Sequence, residues 1–146
     1  MGMRKKKPAD GSDFHFVIPS DYQKMREIQR ALVEEIRRRD FDPESIFAIQ
    51  LALEEGLTNA IKHGNKLDVS KTVTVDSTIS DEMFEITIHD QGAGFIRENV
   101  PDPTADENLE RPSGRGVLLI ESYMTTVEYS DQGRKLFMQR KSGAKK

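Results

Sequence analysis

The chain has 146 residues, 36% of them hydrophobic, a formal net charge of −3 and no cysteine. That is enough apolar content for the core of one soluble domain, and no run approaches the ~18 apolar residues of a membrane span. The lack of cysteine removes disulfides, thiolate metal sites and cysteine nucleophiles and suits a reducing cytoplasm, and mixed charge leaves no basic footprint for nucleic acid.

Residues 1–13 are polar and basic, and disorder is expected there; 14–141 are expected to form one domain and 142–146 a disordered tail. Phe14-His-Phe-Val-Ile18 predicts a short strand stopped by Pro19. Ser20 with Gln23 has the spacing of a capping box, and Tyr22, Met25, Ile28, Leu32 and Ile36 form the apolar face of a first helix. Its end, Arg37-Arg-Arg39, suits a helix C-terminus better than a binding patch. Asp42 as N-cap and Pro43 at the first helical position then launch a second helix, expected to stop at Gly64-Asn65 in a left-handed turn.

That second helix carries an unusual polar face. Ile46, Ile49, Leu53, Leu57, Ala60 and Ile61 make one apolar stripe. Glu55 and Asn59 form an i, i+4 pair on another side, flanked by Ala48, Ala52 and Gly56, with His63 one turn on. The small residues are expected to leave clearance for a ligand.

Thr72–Asp76 and Phe84–His89 alternate as half-buried strands do, with a hairpin at Ser80-Asp81 between them. The second runs into Asp90-Gln-Gly-Ala-Gly94. Residues 95–113 are rich in proline and acid with little periodicity, as a functional lid or a disordered segment would be. Gly114-Arg-Gly116 opens a third helix with Val117, Ile120 and Met124 inward. Thr125–Tyr129 and Leu136–Arg140 close the chain as a hairpin around Asp131-Gln-Gly133. The order β-α-α-β-β-lid-α-β-β predicts an α+β, two-layer sandwich: a mostly antiparallel mixed sheet with helices on one face.

Three clusters carry chemistry. Mg²⁺ takes one or two protein oxygens plus phosphates and water, so Asn59 can serve it, and Glu55 one turn earlier can accept a proton from a nucleophile held nearby. At the strand end, Gly92 and Gly94 let backbone approach a flat ligand while Asp90 can accept an exocyclic amino proton. Gly114 and Gly116 at a helix start offer free N–H groups to an anion, with Arg111 and Arg115 able to add charge. Each is commonplace alone; their order is specific.

Helix E-x-x-x-N-A-x-x-H-G, strand-end D-x-G-x-G, polar lid and helix-opening G-x-G together resemble the Bergerat ATP-binding fold of histidine kinases, Hsp90, type II topoisomerases and MutL. Within it, Glu55-Gly-Leu-Thr-Asn-Ala-Ile-Lys-His-Gly64, Asp90-Gln-Gly-Ala-Gly94 and Leu109-Glu-Arg-Pro-Ser-Gly-Arg-Gly-Val117 look most like the bacterial anti-sigma factor serine kinases of the RsbW and SpoIIAB type. The resemblance spans roughly residues 14–141. It implies Asn59 as Mg²⁺ ligand, Glu55 as the base for the attacking hydroxyl and Asp90 as reader of the adenine amino group. Gly92 and Gly94 would shape the adenine pocket, Gly114 and Gly116 would close over the phosphates, and His63 and Gly64 would line the phosphate side. Arg111 would lie near the γ-phosphate, although Pro112 leaves open whether Arg115 takes that role. Gly133-Arg-Lys-Leu136 stands where relatives often offer the adenine a hydroxyl, so that contact is unassigned.

The resemblance therefore implies a cytoplasmic serine/threonine kinase using ATP and Mg²⁺. It would phosphorylate an anti-sigma factor antagonist of STAS type, sequester a sigma factor and form a homodimer, with neither nucleic acid nor membrane as direct partner. Two rivals are a partner-binding regulator with slow or absent transfer and a detached histidine-kinase catalytic domain. Glu55 disfavours the first, since a pure binder needs no base. The second would need a phosphoacceptor histidine in a helical module, which residues 1–13 do not supply. No Walker A, Rossmann or protein-kinase signature is present.

Overall fold

A computed structural model describes residues 11–93, 120–121 and 123–143 of the protein. Five strands form one sheet in the order β1-β2-β3-β5-β4. They are β1 (Ser12–Pro19), β2 (Thr72–Ile79), β3 (Met83–His89), β4 (Thr126–Ser130) and β5 (Lys135–Lys141). Every pairing among them is antiparallel, so the described sheet is not mixed as expected. Tight turns force that sense within β2–β3 and β4–β5, and β1 and β5 dock on β2 and β3 the same way.

Strand alternation sends Val73, Val75 and Ile79, Phe84, Ile86 and Ile88, and Leu136 and Met138 to one buried face. Two helices, α1 (Tyr22–Arg38) and α2 (Pro43–Thr58), cover that face. From α1 come Met25, Ile28, Leu32 and Ile36; from α2, Ile49, Leu53 and Leu57. The result is the expected two-layer α+β arrangement. Residues 120, 121 and 123 are helical, and Ile120 and Met124 are buried as expected of the third helix. Among the described residues no helix is long and apolar enough to cross a membrane.

Helix starts divide into one confirmation and one correction. Asp42 caps α2, accepting from the Ser45 N–H at 2.7 Å with Pro43 following, as expected. The cap of α1 is Asp21, not Ser20: its carboxylate accepts from the N–H groups of Gln23 and Lys24. Ser20 is instead buried, donating to the Lys71 carbonyl at 2.9 Å. A carboxylate one residue nearer the helix outcompetes a hydroxyl that has a buried partner elsewhere.

Of the arginines ending α1, Arg39 is structural. Arg39, its side chain 7% exposed, bonds Glu35 at 2.8 Å, Asp81 at 3.1 Å and the Ser12 hydroxyl at 2.9 Å, fastening α1 to β1 and the β2–β3 turn. This fastening also starts β1 at Ser12, inside the stretch 1–13 where disorder was expected. Likewise Ser142, placed in the expected tail, is buried, and its carbonyl accepts the Asp42 N–H at 3.0 Å.

Candidate functional site

The site forms where α2 ends over the sheet. Instead of finishing as an α-helix, the chain continues from α2 as a π-helical segment, Asn59–Gly64. Such wide turns are rare and frequently sit at functional sites. Nor does the turn become left-handed at Gly64-Asn65. Asn65 stays right-handed, and the positive φ angles fall on Lys66 and Leu67.

Asn65 explains the departure. It is fully buried, and its amide donates to the Ser20 hydroxyl and the Thr72 carbonyl, each at 3.0 Å. Its side-chain oxygen accepts the Gln91 N–H at 2.8 Å, while Gln91 in turn accepts the Thr72 N–H at 2.7 Å. With Asn65 so anchored, its own N–H closes on the Ala60 carbonyl at 2.9 Å, five residues back. One carboxamide thus fixes the helix end, the start of β2 and the loop after β3.

A pocket opens beside this junction, lined by Asn59, His63 and Gly64 from the helix end and Asp90 from the strand end. Its apolar floor comes from Ile88, Leu136 and Tyr129, which are cross-strand neighbours on β3, β5 and β4. Gly56 forms part of the wall. A Cβ there would meet Ile88 Cδ1 at 3.1 Å and Leu136 Cδ2 at 3.3 Å, so its bareness first lets α2 lie close on the sheet. Ala48 and Ala52, expected to leave ligand clearance, are buried at 1% exposure as helix packing instead. Ile46, placed in the apolar stripe, is only partly buried.

Asn59 and Glu55 are joined as the spacing suggested. The Asn59 side chain acts on the Glu55 carboxylate, which is half-buried and one turn back from the pocket lining. Burial and then the charge of Glu54 push the Glu55 carboxyl above its ordinary range, with the Asn59 side chain opposing. The other end of the carboxamide, Asn59 Oδ1, is buried with no hydrogen-bond partner among the described residues. A native fold rarely leaves such an acceptor orphaned, and a bound cation is one group that would satisfy it.

The strand end packs against the helix end through bare backbone. Asp90 Oδ1 accepts the Gly92 N–H at 2.8 Å, and burial raises the Asp90 carboxyl above the usual range. A Cβ on Gly64 would lie 2.5 Å from Asp90 Oδ2, and one on Gly92 would lie 1.9 Å from the Gly64 carbonyl oxygen. Gly92 therefore serves first to seat the loop on the helix. Gly94, Arg111, Gly114, Arg115 and Gly116 lie outside the described residues, as does the lid.

Sequence reasoning missed Asn65, taken only for a helix stop, and the pocket residues Arg134, Lys66 and Tyr129. Cross-strand register could have found Tyr129 and Leu136, because both sit in line with Ile88, two residues before Asp90. No local pattern marks Arg134, which arrives by tertiary contact.

Comparison with known proteins agrees with this geometry. The family described as histidine kinase-like ATPase domain matches residues 18–140. An anti-sigma F factor of Clostridium perfringens is 38% identical over 104 residues, covering 67% of this chain and 74% of that protein. A serine-protein kinase RsbW of Listeria monocytogenes is 31% identical over 108 residues, covering 69% of each. In fold, the chain matches a crystal structure of the RsbU and RsbW domains of a Mycobacterium tuberculosis protein with a TM-score of 0.59 at 15% identity. That match covers 89% of this chain and spans 31% of the larger one. The chain belongs to the histidine kinase-like ATPase domain family, the group to which its nucleotide motifs and antiparallel two-layer fold point.

Proposed function

We propose that this protein is an anti-sigma factor with serine/threonine kinase activity, transferring the ATP γ-phosphoryl group to an antagonist protein. The observation that carries this reading is the Glu55–Asn59 pair: a half-buried carboxylate one helical turn from a carboxamide whose oxygen is buried and unsatisfied beside the pocket. Relatives named anti-sigma F factor and serine-protein kinase support the partner system.

In this reading Asp90 accepts the adenine amino proton, Ile88 and Leu136 pack the base, and His63 and Gly64 face the phosphates. Arg111 or Arg115 adds charge at the γ-phosphate, while Gly94 shapes the base site and Gly114 and Gly116 close over the phosphate chain. Asn59 Oδ1 would hold Mg²⁺, which when bound neutralises phosphate charge. A serine hydroxyl of the antagonist gives its proton to Glu55 as it attacks the γ-phosphorus and ADP leaves; a carboxylate with raised pKa is the better base. A homodimer acting in the cytoplasm and sequestering a sigma factor completes the proposal.

The test is incubation of the protein with labelled ATP, Mg²⁺ and a serine-bearing antagonist. Glu55→Ala is expected to keep nucleotide binding and lower transfer by about 10²–10⁴-fold. Undiminished transfer by that variant would remove Glu55 from the chemistry.

A further inference from the structure

The turn between β4 and β5 is built from three consecutive residues of positive φ: Asp131 at 53°, Gln132 at 58° and Gly133 at 86°. Two of these are not glycine, and such backbone persists only where its surroundings hold it. It delivers Arg134 to the loop after β3. The Arg134 carbonyl accepts the Asp90 N–H at 2.9 Å. Its guanidinium returns across the loop: Nη1 donates to the Ala93 carbonyl at 2.9 Å and, at 3.5 Å, to that of Gly92. Nη2 donates to Gln132 Oε1 at 3.1 Å, and Nε lies 3.5 Å from Asp131 Oδ2. Asp131 is itself held by His89 Nε2 at 2.9 Å. The Arg134 side chain is 25% exposed and lines the pocket with Asp90.

We propose that Arg134 is a positioning residue for the base end of the nucleotide pocket, clamping the Gly92 and Ala93 carbonyls so that the Asp90 carboxylate is fixed where a nucleobase amino group meets it. The inference rests on the nucleotide reading of the site. A planar guanidinium that reaches the loop carbonyls through Nη1 while Nη2 and Nε hold Gln132 and Asp131 suits this task in a way that a lysine ammonium does not. The positive charge also opposes the burial that disfavours ionised Asp90.

The clamp has a chemical consequence. Adenine offers an exocyclic N–H donor on the edge where guanine offers a carbonyl acceptor. A fixed carboxylate therefore binds the first and repels the second, so ATP depends on the clamp and GTP does not.

Calorimetric titration of ATP and of GTP, with Mg²⁺, into the full chain and its Arg134→Ala and Arg134→Lys variants tests this. The wild type is expected to prefer ATP. Arg134→Ala should weaken ATP about tenfold, the effect of losing a charge-assisted contact of ~1.4 kcal/mol, with GTP nearly unchanged. Arg134→Lys should fall between, and it decides the matter where Arg134→Ala does not fold. Equal weakening of both nucleotides, or no change in either, overturns the proposal. A wild-type protein that binds neither nucleotide overturns the site reading itself.

Discussion

Gly92 rests on the Gly64 carbonyl so closely that a Cβ on Gly92 would sit 1.9 Å from that oxygen and 2.4 Å from its carbon. Both clashing atoms are backbone, so neither can swing aside as a side chain could. Gly92→Ala is therefore expected to part the strand-end loop from the helix end, destabilising the fold by about 2–3 kcal/mol. Gly64→Ala meets the Asp90 carboxylate instead, at 2.5 Å, and that group can rotate. Its fold should survive while nucleotide affinity drops. Denaturant melts paired with nucleotide titration separate the two; equal stability for both variants would contradict the packing.

The elements were legible because their signals are local. Asp42-Pro43 starts a helix by its own chemistry, and alternation from Thr72 to Asp76 marks a half-buried strand wherever it sits. Glu55 with Asn59 was legible as well, since helical spacing alone puts them together. The π-helical turn was not, because it follows from Asn65 being held by Ser20, Thr72 and Gln91, distant in sequence. Ala52 was misassigned for a similar reason. A small residue reads equally as room for a ligand or room for a sheet, and only the buried face decides between them.

Asn65 should be far more sensitive than a helix-stop residue. Asn65→Ala leaves the Gln91 N–H and the Thr72 carbonyl without their buried partner. Each such orphan costs about 1–3 kcal/mol, so a total of about 2–6 kcal/mol is expected in urea unfolding. Asn65→Asp keeps the acceptor for Gln91 but lacks the donors and buries a charge, so it should fare no better. Loss under about 0.5 kcal/mol, typical of a surface site, would contradict the junction role.

The Glu55 carboxyl is held above its ordinary range first by burial, then by Glu54. A carboxyl whose folded pKa exceeds its unfolded one opposes folding while ionised. Stability from this group falls as pH rises through the window between the ordinary value, ~4.3, and the raised folded value. Glu55→Gln removes that opposition. The variant should melt above wild type at neutral pH, with the gap closing as pH falls toward about 4, while phosphate transfer is lost. A gap that stays constant with pH would mean the ionised carboxylate is not the source.

Asn59 allows the metal proposal to be tested apart from catalysis. Asn59→Ala deletes the buried orphan oxygen, relieving about 1–3 kcal/mol, and also the side-chain dipole that favours the ionised Glu55 carboxylate. The two effects oppose, so the melting midpoint should move little. Nucleotide affinity should respond differently. The wild type is expected to bind ATP more tightly with Mg²⁺ than with a chelator present, because the carboxamide oxygen gains a partner only with the cation. Asn59→Ala should bind equally in both conditions, at the weaker level. Full Mg²⁺ dependence retained by Asn59→Ala would assign the cation to other ligands and leave the buried oxygen without a role.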